Sequence, residues 1–219
     1  MSEVFLPTRR RFLLGGATLA GLALSGCSPS ARVPEEPRFS EIYISMYGAL
    51  PNEKFPVPAA DLRRMRPTHL RTEVADPTGE RPGTLVVSTA ERYLYLVQEN
   101  RRAIRYGIGV GREGFSWSGR GEIGRKAAWP TWTPPAAMID RQPELAPYRN
   151  GMPPGLSNPL GARAMYIYRN GRDTLYRLHG TPEYWTIGEA VSSGCVRLVN
   201  QDVIDLYARV PVGTKILVT

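Results

Sequence analysis

Residues 84–110 read TLVVSTAERYLYLVQENRRAIRYGIGV, and this stretch decides the fold class. It contains three short runs rich in β-branched and aromatic residues, at 84–88, 93–97 and 102–110, with polar turns between them. Such runs are strand candidates, and short strands separated by turns at this spacing favour antiparallel sheets. We therefore predict a mostly β domain that begins near Gly83.

The same pattern continues toward the C-terminus. Apolar runs at 164–168 and 174–178 flank Asn170-Gly171, which is a strong signal for a tight hairpin turn. Asn200 is a candidate N-cap of a helix, and residues 215–219 are the last predicted strand. The helix is expected to turn four side chains toward the core, namely Val203, Ile204, Leu206 and Tyr207. The predicted architecture is therefore a sheet structure with one or two short helices.

Two stretches rich in proline or glycine are predicted to be loops. Residues 140–160 carry five prolines and few apolar anchors, which indicates a long surface loop. Residues 109–114 match the G-x-G-x-x-G pattern of dinucleotide-binding loops, but that interpretation requires a helix to follow. The next residues, 115–121, read FSWSGRG and do not favour a helix, so we interpret these glycines as part of a hairpin.

The composition excludes several classes of protein. The chain has 219 residues, 42% of them hydrophobic, so it can bury a core and is not expected to be disordered. Two cysteines are too few for a disulfide-stapled scaffold, and no apolar run reaches the roughly 18 residues of a spanning helix. A four-ligand zinc site would need Cys27, His69, His179 and Cys195, whose spacing matches no metal-ligand pattern. We therefore predict neither a metal nor a cofactor.

Residues 1–26 are predicted to be a signal peptide. The stretch RRRFLL at 9–14 precedes a short Gly/Ala-rich apolar run and resembles a twin-arginine export signal. The run ends in LSGC at 24–27, which resembles a lipobox, so Cys27 is the predicted lipidation site. The expected location is the periplasm, with a membrane anchor through Cys27. The alternative is a signal cut elsewhere, which would leave a soluble periplasmic protein.

The mature chain is predicted to have two parts. Residues 27–82 are interpreted as a proline-rich tether and an extended N-terminal arm that lies on the β domain at 83–219. His69 belongs to this arm, where we expect a surface residue rather than a ligand.

The chain is basic, with 28 Lys+Arg against 20 Asp+Glu and a formal net charge of +8. Basic surfaces attract anionic polymers. An exported protein would meet the acidic glycans and anionic lipid headgroups of the cell envelope, so no nucleic-acid partner is expected. The arginines are scattered singly, and solubility alone is the alternative explanation for them.

One thiol and one imidazole carry the predicted chemistry. Once Cys27 is assigned to the lipid anchor, Cys195 is the remaining cysteine, and Gly194 beside it leaves room for a substrate. A catalytic cysteine needs a base or a cation to become a thiolate near neutral pH. The base is either His69 or His179, and His179 follows an apolar strand at the start of a turn. Considered alone, Cys195 could instead be a small hydrophobic residue buried in the core. Considered alone, His179 could be a structural histidine in the core or in a turn.

Taken together, these residues resemble a known family. Two motifs, Leu178-His179-Gly180-Thr181 and SSGCVRL at 192–198, have 15 residues between His179 and Cys195, and together they resemble the paired motifs of the YkuD L,D-transpeptidases. The resemblance extends over about 83–219 and includes WPTWTPP at 129–135 and RVPVGT at 209–214. It implies an L,D-transpeptidase-like β-sandwich enzyme that acts on peptidoglycan stem peptides.

The resemblance also assigns roles to individual residues. It implies Cys195 as the nucleophile and His179 as the general base, with the Gly180 carbonyl orienting the ring and backbone N–H groups of Gly194 and Cys195 forming an oxyanion hole. Three more residues are implied near the substrate. Arg197 would bind or position the stem peptide, and Tyr184 and Trp185 would wall the cleft or pack under their loop.

Ser193 departs from the family pattern, which most often has histidine at this position. A serine hydroxyl can hydrogen-bond but cannot carry a proton near neutral pH. A non-enzymatic peptidoglycan-binding module, inactivated by Ser193, is therefore one alternative to an enzyme. An L,D-carboxypeptidase that uses water as acceptor is another. The amine acceptor of a transpeptidase would be a second stem peptide or an outer-membrane protein side chain.

Overall fold

A computed structural model of the chain describes residues 39–111, 117–192 and 195–219, and at 191–192 it describes the backbone. The predictions about the signal peptide and Cys27, and the predicted roles of Ser193 and Gly194, fall outside the described residues.

The described residues form eleven strands, three α-helices and four short 3-10 helices. The strands are β1 Thr72–Ala75, β2 Leu85–Ser88, β3 Tyr93–Val97, β4 Arg102–Gly107, β5 Val110–Gly111, β6 Gly119–Ala128, β7 Arg163–Arg169, β8 Arg172–Thr181, β9 Ala190–Ser192, β10 Val196–Val199 and β11 Lys215–Val218. The α-helices are α1 Glu41–Met46, α2 Ala136–Arg141 and α3 Asn200–Arg209. The 3-10 helices are Leu62–Arg64, Pro67–His69, Pro143–Tyr148 and Tyr184–Thr186.

Nine strands form one sheet in the order β1-β4-β3-β2-β11-β6-β7-β8-β10, and β5 pairs with β9 in a second, small sheet. This confirms the predicted mostly β fold class. The expectation of antiparallel sheets was wrong in part, because β11 runs parallel to β2 and β10 runs parallel to β8. A tight turn joins neither pair, since residues 182–195 separate β8 from β10 and most of the domain separates β2 from β11, so no local turn signal could reveal them.

The sheet folds over a shared core to give the sandwich. Apolar side chains from β2–β4 and from β6–β8 belong to one buried cluster, which also includes Val203 and Leu206 of α3. Backbone hydrogen bonds in both directions between Gly109 and Arg197, each 2.9 Å, join the chain after β4 to β10. The two ends of the main sheet are thereby tied together beside the core.

The hairpin predicted at Asn170-Gly171 is confirmed. It connects β7 and β8, and both residues have positive φ, 51° at Asn170 and 74° at Gly171. Two-residue turns of this hand match the twist of the flanking strands, and they require residues that tolerate positive φ.

The helix predicted near Asn200 is present as α3, but Asn200 is its first helical residue and makes no capping bond. Its Oδ1 instead accepts a hydrogen bond from the Ala162 backbone N–H at 2.9 Å. The side chain therefore attaches the helix to the segment that precedes β7. At the other end, the Lys126 ammonium donates to the carbonyls of Tyr207 (2.6 Å) and Val210 (2.5 Å), which satisfies carbonyl groups at the helix C-terminus.

The segment predicted as a surface loop at 140–160 contains more structure than expected. It includes the end of α2 and the 3-10 helix Pro143–Tyr148. The fully buried Asn158 holds the rest of it, since its side-chain amide donates to the carbonyls of Pro130, Met152 and Pro153 at 3.0–3.2 Å.

The N-terminal arm is folded rather than simply extended. Its strand β1 pairs antiparallel with β4, and its apolar side chains form a second buried cluster with Ile187 and Val199. The surface position expected for His69 was wrong. His69 is buried and stacks on Tyr93 at 5.0 Å, because Gly107 of β4 lacks the Cβ that would collide with it.

A buried polar network attaches the arm to α3. The Tyr47 hydroxyl donates to Asp202 at 3.0 Å, and Arg71 forms ion pairs with Asp202 (3.7 Å) and Asp205 (2.7 Å). The pKa of Asp202 is raised to about 7. Burial is the main cause, and the positive charge of Arg71 opposes this increase. The arm is therefore held by a carboxyl group that titrates near neutral pH.

Candidate active site

Strands β8 and β10 position the two motifs that the sequence singled out. Their parallel register places Val196 beside Leu178 and Arg197 beside His179. Leu178 and Val196 face the main core, so by strand alternation His179 and Arg197 share the opposite face. One residue earlier in this register, Cys195 comes beside Arg177. The fold thus places the thiol directly before β10, the strand that pairs with the imidazole's strand β8.

The His179 ring is held by its own backbone neighbour. Its Nδ1 lies 2.6 Å from the Gly180 carbonyl oxygen. A carbonyl can only accept, so Nδ1 carries the proton in this bond and Nε2 of the neutral ring is left with a lone pair. The ring is therefore oriented as a base whose accepting nitrogen is Nε2.

Electrostatics keep this imidazole neutral. The pKa of His179 is lowered to about 4, mainly by burial and in part by the positive charges of Arg197 and Arg177. Hydrogen bonding to the backbone of Gly180 and Pro159 acts in the opposite direction. At neutral pH the resting ring can accept a proton.

Cys195 is partly exposed and lies against Arg177. Burial raises the pKa of the Cys195 thiol. The positive charge of Arg177, and hydrogen bonds from the Arg177 backbone and side chain, lower this pKa. The negative charge of Asp173 adds to the increase. Desolvation is the largest of these effects, so the resting group is a thiol and its proton must be removed during the reaction.

Arg197 lies beneath the loop that joins the two motifs. Its buried guanidinium forms an ion pair with Glu183 at 3.2 Å and donates to the Thr186 hydroxyl at 3.0 Å. Gly109 packs against this group, where a Cβ would lie 3.4 Å from the Arg197 Nε. These contacts give Arg197 a role in positioning the loop; its exposed fraction of 6% leaves little surface for a substrate.

Tyr184 and Trp185 form the 3-10 helix of that loop, and their rings meet edge to face at 5.3 Å. Trp185 is 40% exposed, whereas Tyr184 packs toward the arm and its hydroxyl accepts from the Asp61 backbone N–H at 3.1 Å. The Arg64 guanidinium lies 4.1 Å from the centre of the Trp185 ring. The arm therefore contacts the loop beside the site, which the sequence did not reveal.

Arg177, which lies against Cys195, was also not singled out from the sequence. Its position two residues before His179 in an alternating strand was the available signal, because such residues share a face.

Among the described residues there is no group of three or more His, Cys, Asp or Glu side chains suited to hold a metal ion. Within those same ranges, no helix is long and apolar enough to cross a membrane.

The glycine motif at 109–114 does not open a helix in the described part of the chain. Gly109 pairs with Arg197, Gly111 belongs to β5, and the next element described is strand β6. Residues 112–116 are outside the described ranges.

A family model described as the L,D-transpeptidase catalytic domain matches residues 82–218. The chain is 39% identical over 138 residues to the probable L,D-transpeptidase YbiS of Escherichia coli, an alignment that covers 60% of this chain and 43% of the relative. It thus spans less than half the length of this relative. It is 29% identical over 191 residues to the putative L,D-transpeptidase YkuD of Bacillus licheniformis, covering 80% of this chain and 98% of that protein.

One solved structure aligns with a TM-score of 0.50 and 45% sequence identity. It covers 68% of this chain and 92% of the other, a Brucella melitensis protein described as a probable carnitine operon oxidoreductase.

Proposed function

Because this chain belongs to the YkuD L,D-transpeptidase family, whose catalytic-domain model matches residues 82–218, we propose that it is a peptidoglycan L,D-transpeptidase with Cys195 as its nucleophile. The donor is a stem peptide, cleaved after its third residue. The acceptor is an amine, on a second stem peptide or on an outer-membrane protein.

The observation that best supports this proposal is the arrangement of His179 on β8 next to the strand that follows Cys195. The ring is oriented by the Gly180 carbonyl, as a general base must be oriented by a third group. The low pKa of His179 and the raised pKa of Cys195 favour a neutral imidazole and a neutral thiol in the resting enzyme.

In the proposed acylation step, His179 Nε2 takes the thiol proton as the Cys195 sulfur attacks the carbonyl of the third residue at its L-centre. Backbone N–H groups of Gly194 and Cys195 stabilise the resulting oxyanion, which typically contributes a few kcal/mol. The imidazolium then protonates the departing nitrogen. The C–N bond breaks, D-Ala leaves as an amine, and a thioester remains on Cys195.

The second half-reaction reverses these roles. The acceptor amine attacks the thioester carbonyl while neutral His179 accepts a proton from the attacking nitrogen. The C–S bond breaks, the thiolate regains its proton from the imidazolium, and a new amide is released. Water in place of the amine gives the carboxypeptidase reaction at the same site.

Intact-mass analysis of the purified chain incubated with a tetrapeptide donor tests the proposal. We expect a thioester adduct with loss of one D-Ala, an equivalent adduct with a carbapenem, and neither adduct in Cys195→Ala. An added amine acceptor should yield an amide, whereas free tripeptide alone would identify a carboxypeptidase. A chain that binds the donor but never forms an adduct would identify a binding module instead.

We also propose the location and domain limits predicted from the sequence. Residues 1–26 direct export by the twin-arginine route, Cys27 carries a lipid in the periplasm, and 27–82 connect this anchor to the catalytic domain at 83–219. The support for this proposal is the N-terminal sequence RRRFLL and LSGC.

A further inference from the structure

A row of side chains crosses the sheet next to Cys195. Arg125 on β6 is the register partner of Tyr166 on β7, and Tyr166 is the register partner of Arg177 on β8. Met165 and Ile167 face the main core, so Tyr166 and its two partners share the opposite face with His179. The row Arg125–Tyr166–Arg177 therefore ends at the thiol, since Arg177 contacts Cys195.

The two guanidinium groups stack on one aromatic ring. The central carbon of Arg125 lies 3.6 Å from the centre of the Tyr166 ring, and that of Arg177 lies 5.0 Å from it. Tyr166 is only 4% exposed because these side chains cover it, whereas Arg125 itself is exposed to solvent. Stacking on a ring restricts a guanidinium while leaving its edge available for hydrogen bonds.

Neither arginine has a carboxylate partner within ion-pair distance among the described residues, unlike Arg163 with Glu53 (2.6 Å) or Arg120 with Glu80 (2.7 Å). The Arg177 side chain donates to the Leu175 carbonyl at 2.7 Å and also hydrogen-bonds Cys195, whereas a guanidinium has five N–H donors.

The adjoining row of the sheet contains two acidic residues. Glu122 and Asp173 are both register partners of Tyr168. Glu122 forms an ion pair with Lys215 at 2.7 Å, and Asp173 accepts from the Leu175 backbone N–H at 2.8 Å. The row beside Cys195 therefore has two cations on one aromatic ring, and neither is ion-paired with a carboxylate in the described part of the chain.

We propose that Arg125 and Arg177, held on the Tyr166 ring, form a subsite that binds a carboxylate of the donor peptide. The inference rests on the proposed function, since a stem peptide carries free carboxylates close to its scissile bond. Planar guanidinium groups bind carboxylates through paired hydrogen bonds, and an amide cannot replace the charge. The subsite would make the enzyme select donors whose carboxylate is free over donors in which it is amidated.

The test measures binding by calorimetry in the Cys195→Ala chain, where an effect of Arg177 on the thiol cannot contribute. The ligands are the tetrapeptide L-Ala-γ-D-Glu-diaminopimelyl-D-Ala and three singly amidated forms, one for each carboxylate position. Arg125→Gln and Arg177→Gln are compared with Arg81→Gln, which changes an exposed arginine before β2.

We expect each substitution in the row to weaken binding of the free peptide about tenfold, the size of one charge-assisted hydrogen bond. One of the amidated peptides should bind the chain with both arginines as weakly as the free peptide binds the variants. Its affinity should not fall further in Arg125→Gln or Arg177→Gln, and its amidated position identifies the carboxylate that the subsite binds. Arg81→Gln should change nothing.

Equal loss for all four peptides, equal binding of free and amidated peptides, or no binding of any peptide would overturn the subsite. Failure of the chain with intact Cys195 to form a thioester, while the charge preference in binding persists, would contradict the proposed function and leave the subsite standing.

Discussion

Arg197 is the register partner of His179 across the parallel β8–β10 pair, and its charge lowers the pKa of the His179 imidazole. One arginine therefore does two things: it holds the loop of Glu183 and Thr186, and it disfavours the imidazolium. The fold keeps the proposed base unprotonated and ready to accept the thiol proton.

Substitution of either reacting residue should abolish or severely reduce turnover. Cys195→Ala removes the nucleophile, and His179→Ala should lower the rate of D-Ala release about 10²–10⁴-fold, the usual contribution of a positioned general base. Release of D-Ala from a tetrapeptide measures both. Full activity in a folded His179→Ala chain would refute the assignment of the base.

The acidic limb of kcat/KM should lie near the pKa of His179, at about 4. The active form of the base is neutral, so activity should rise as the pH increases through this value. The rise should be complete below the usual imidazole pKa near 6.5. Arg197→Gln removes a charge that lowers this pKa and should move the limb to higher pH, while Arg81→Gln serves as the matched control. A limb near 6.5 in the unsubstituted enzyme would show that the ring is not held in this environment.

Asp202 should make stability depend on pH. Its pKa is raised to about 7, above the value near 4 of an unfolded aspartate, so the folded state binds the extra proton more tightly. This contribution is fully present below the unfolded pKa and is lost as the pH rises through about 7. Asp202→Asn cannot lose a proton, and its free energy of unfolding relative to wild type should increase between pH 5 and pH 8, on the order of 1 kcal/mol or more. Urea unfolding of both chains at the two pH values measures it, and a difference that is independent of pH would contradict the shift.

Ser193 is predicted to substitute structurally for the usual histidine. Ser193→Ala should lose only about one neutral hydrogen bond, roughly 1 kcal/mol, in the rate of β-lactam acylation. Ser193→His should give no large gain, because His179 performs the proton transfer. An inert wild type that Ser193→His activates would favour the binding-module alternative.

Export should depend on the arginine pair rather than on its charge. Changing Arg9 and Arg10 together to lysine should block the twin-arginine route with no change in net charge. Cell fractionation measures the result, and Cys27→Ala should release the exported protein from membranes. Unimpaired export of the double variant would indicate the general secretory route.

The elements that the sequence predicted are those with local signals. The strand runs at 84–97 and the Asn170-Gly171 turn are encoded by neighbouring residues, and so is the α3 face with Val203 and Leu206. Cys195 and His179 were predicted as site residues because their residue types and spacing form a motif.

What the sequence did not reveal depends on pairing at long range. Asn200 forms its hydrogen bond 38 residues away, at Ala162, instead of capping its own helix. The burial of His69 requires β4 beside it, and the Arg125–Tyr166–Arg177 row exists only once three strands are in register. Such contacts leave no local pattern in the chain.

The central place of β11 constrains the order of folding. This strand pairs with β2 on one side and β6 on the other, and just beyond it the Thr219 side chain bonds Val87 across 132 residues. Until β11 is available, β2 and β6 each have one unpaired edge, so the sheet cannot close before this strand has been synthesised. Folding intermediates that lack β11 therefore present two open strand edges, and such edges favour aggregation.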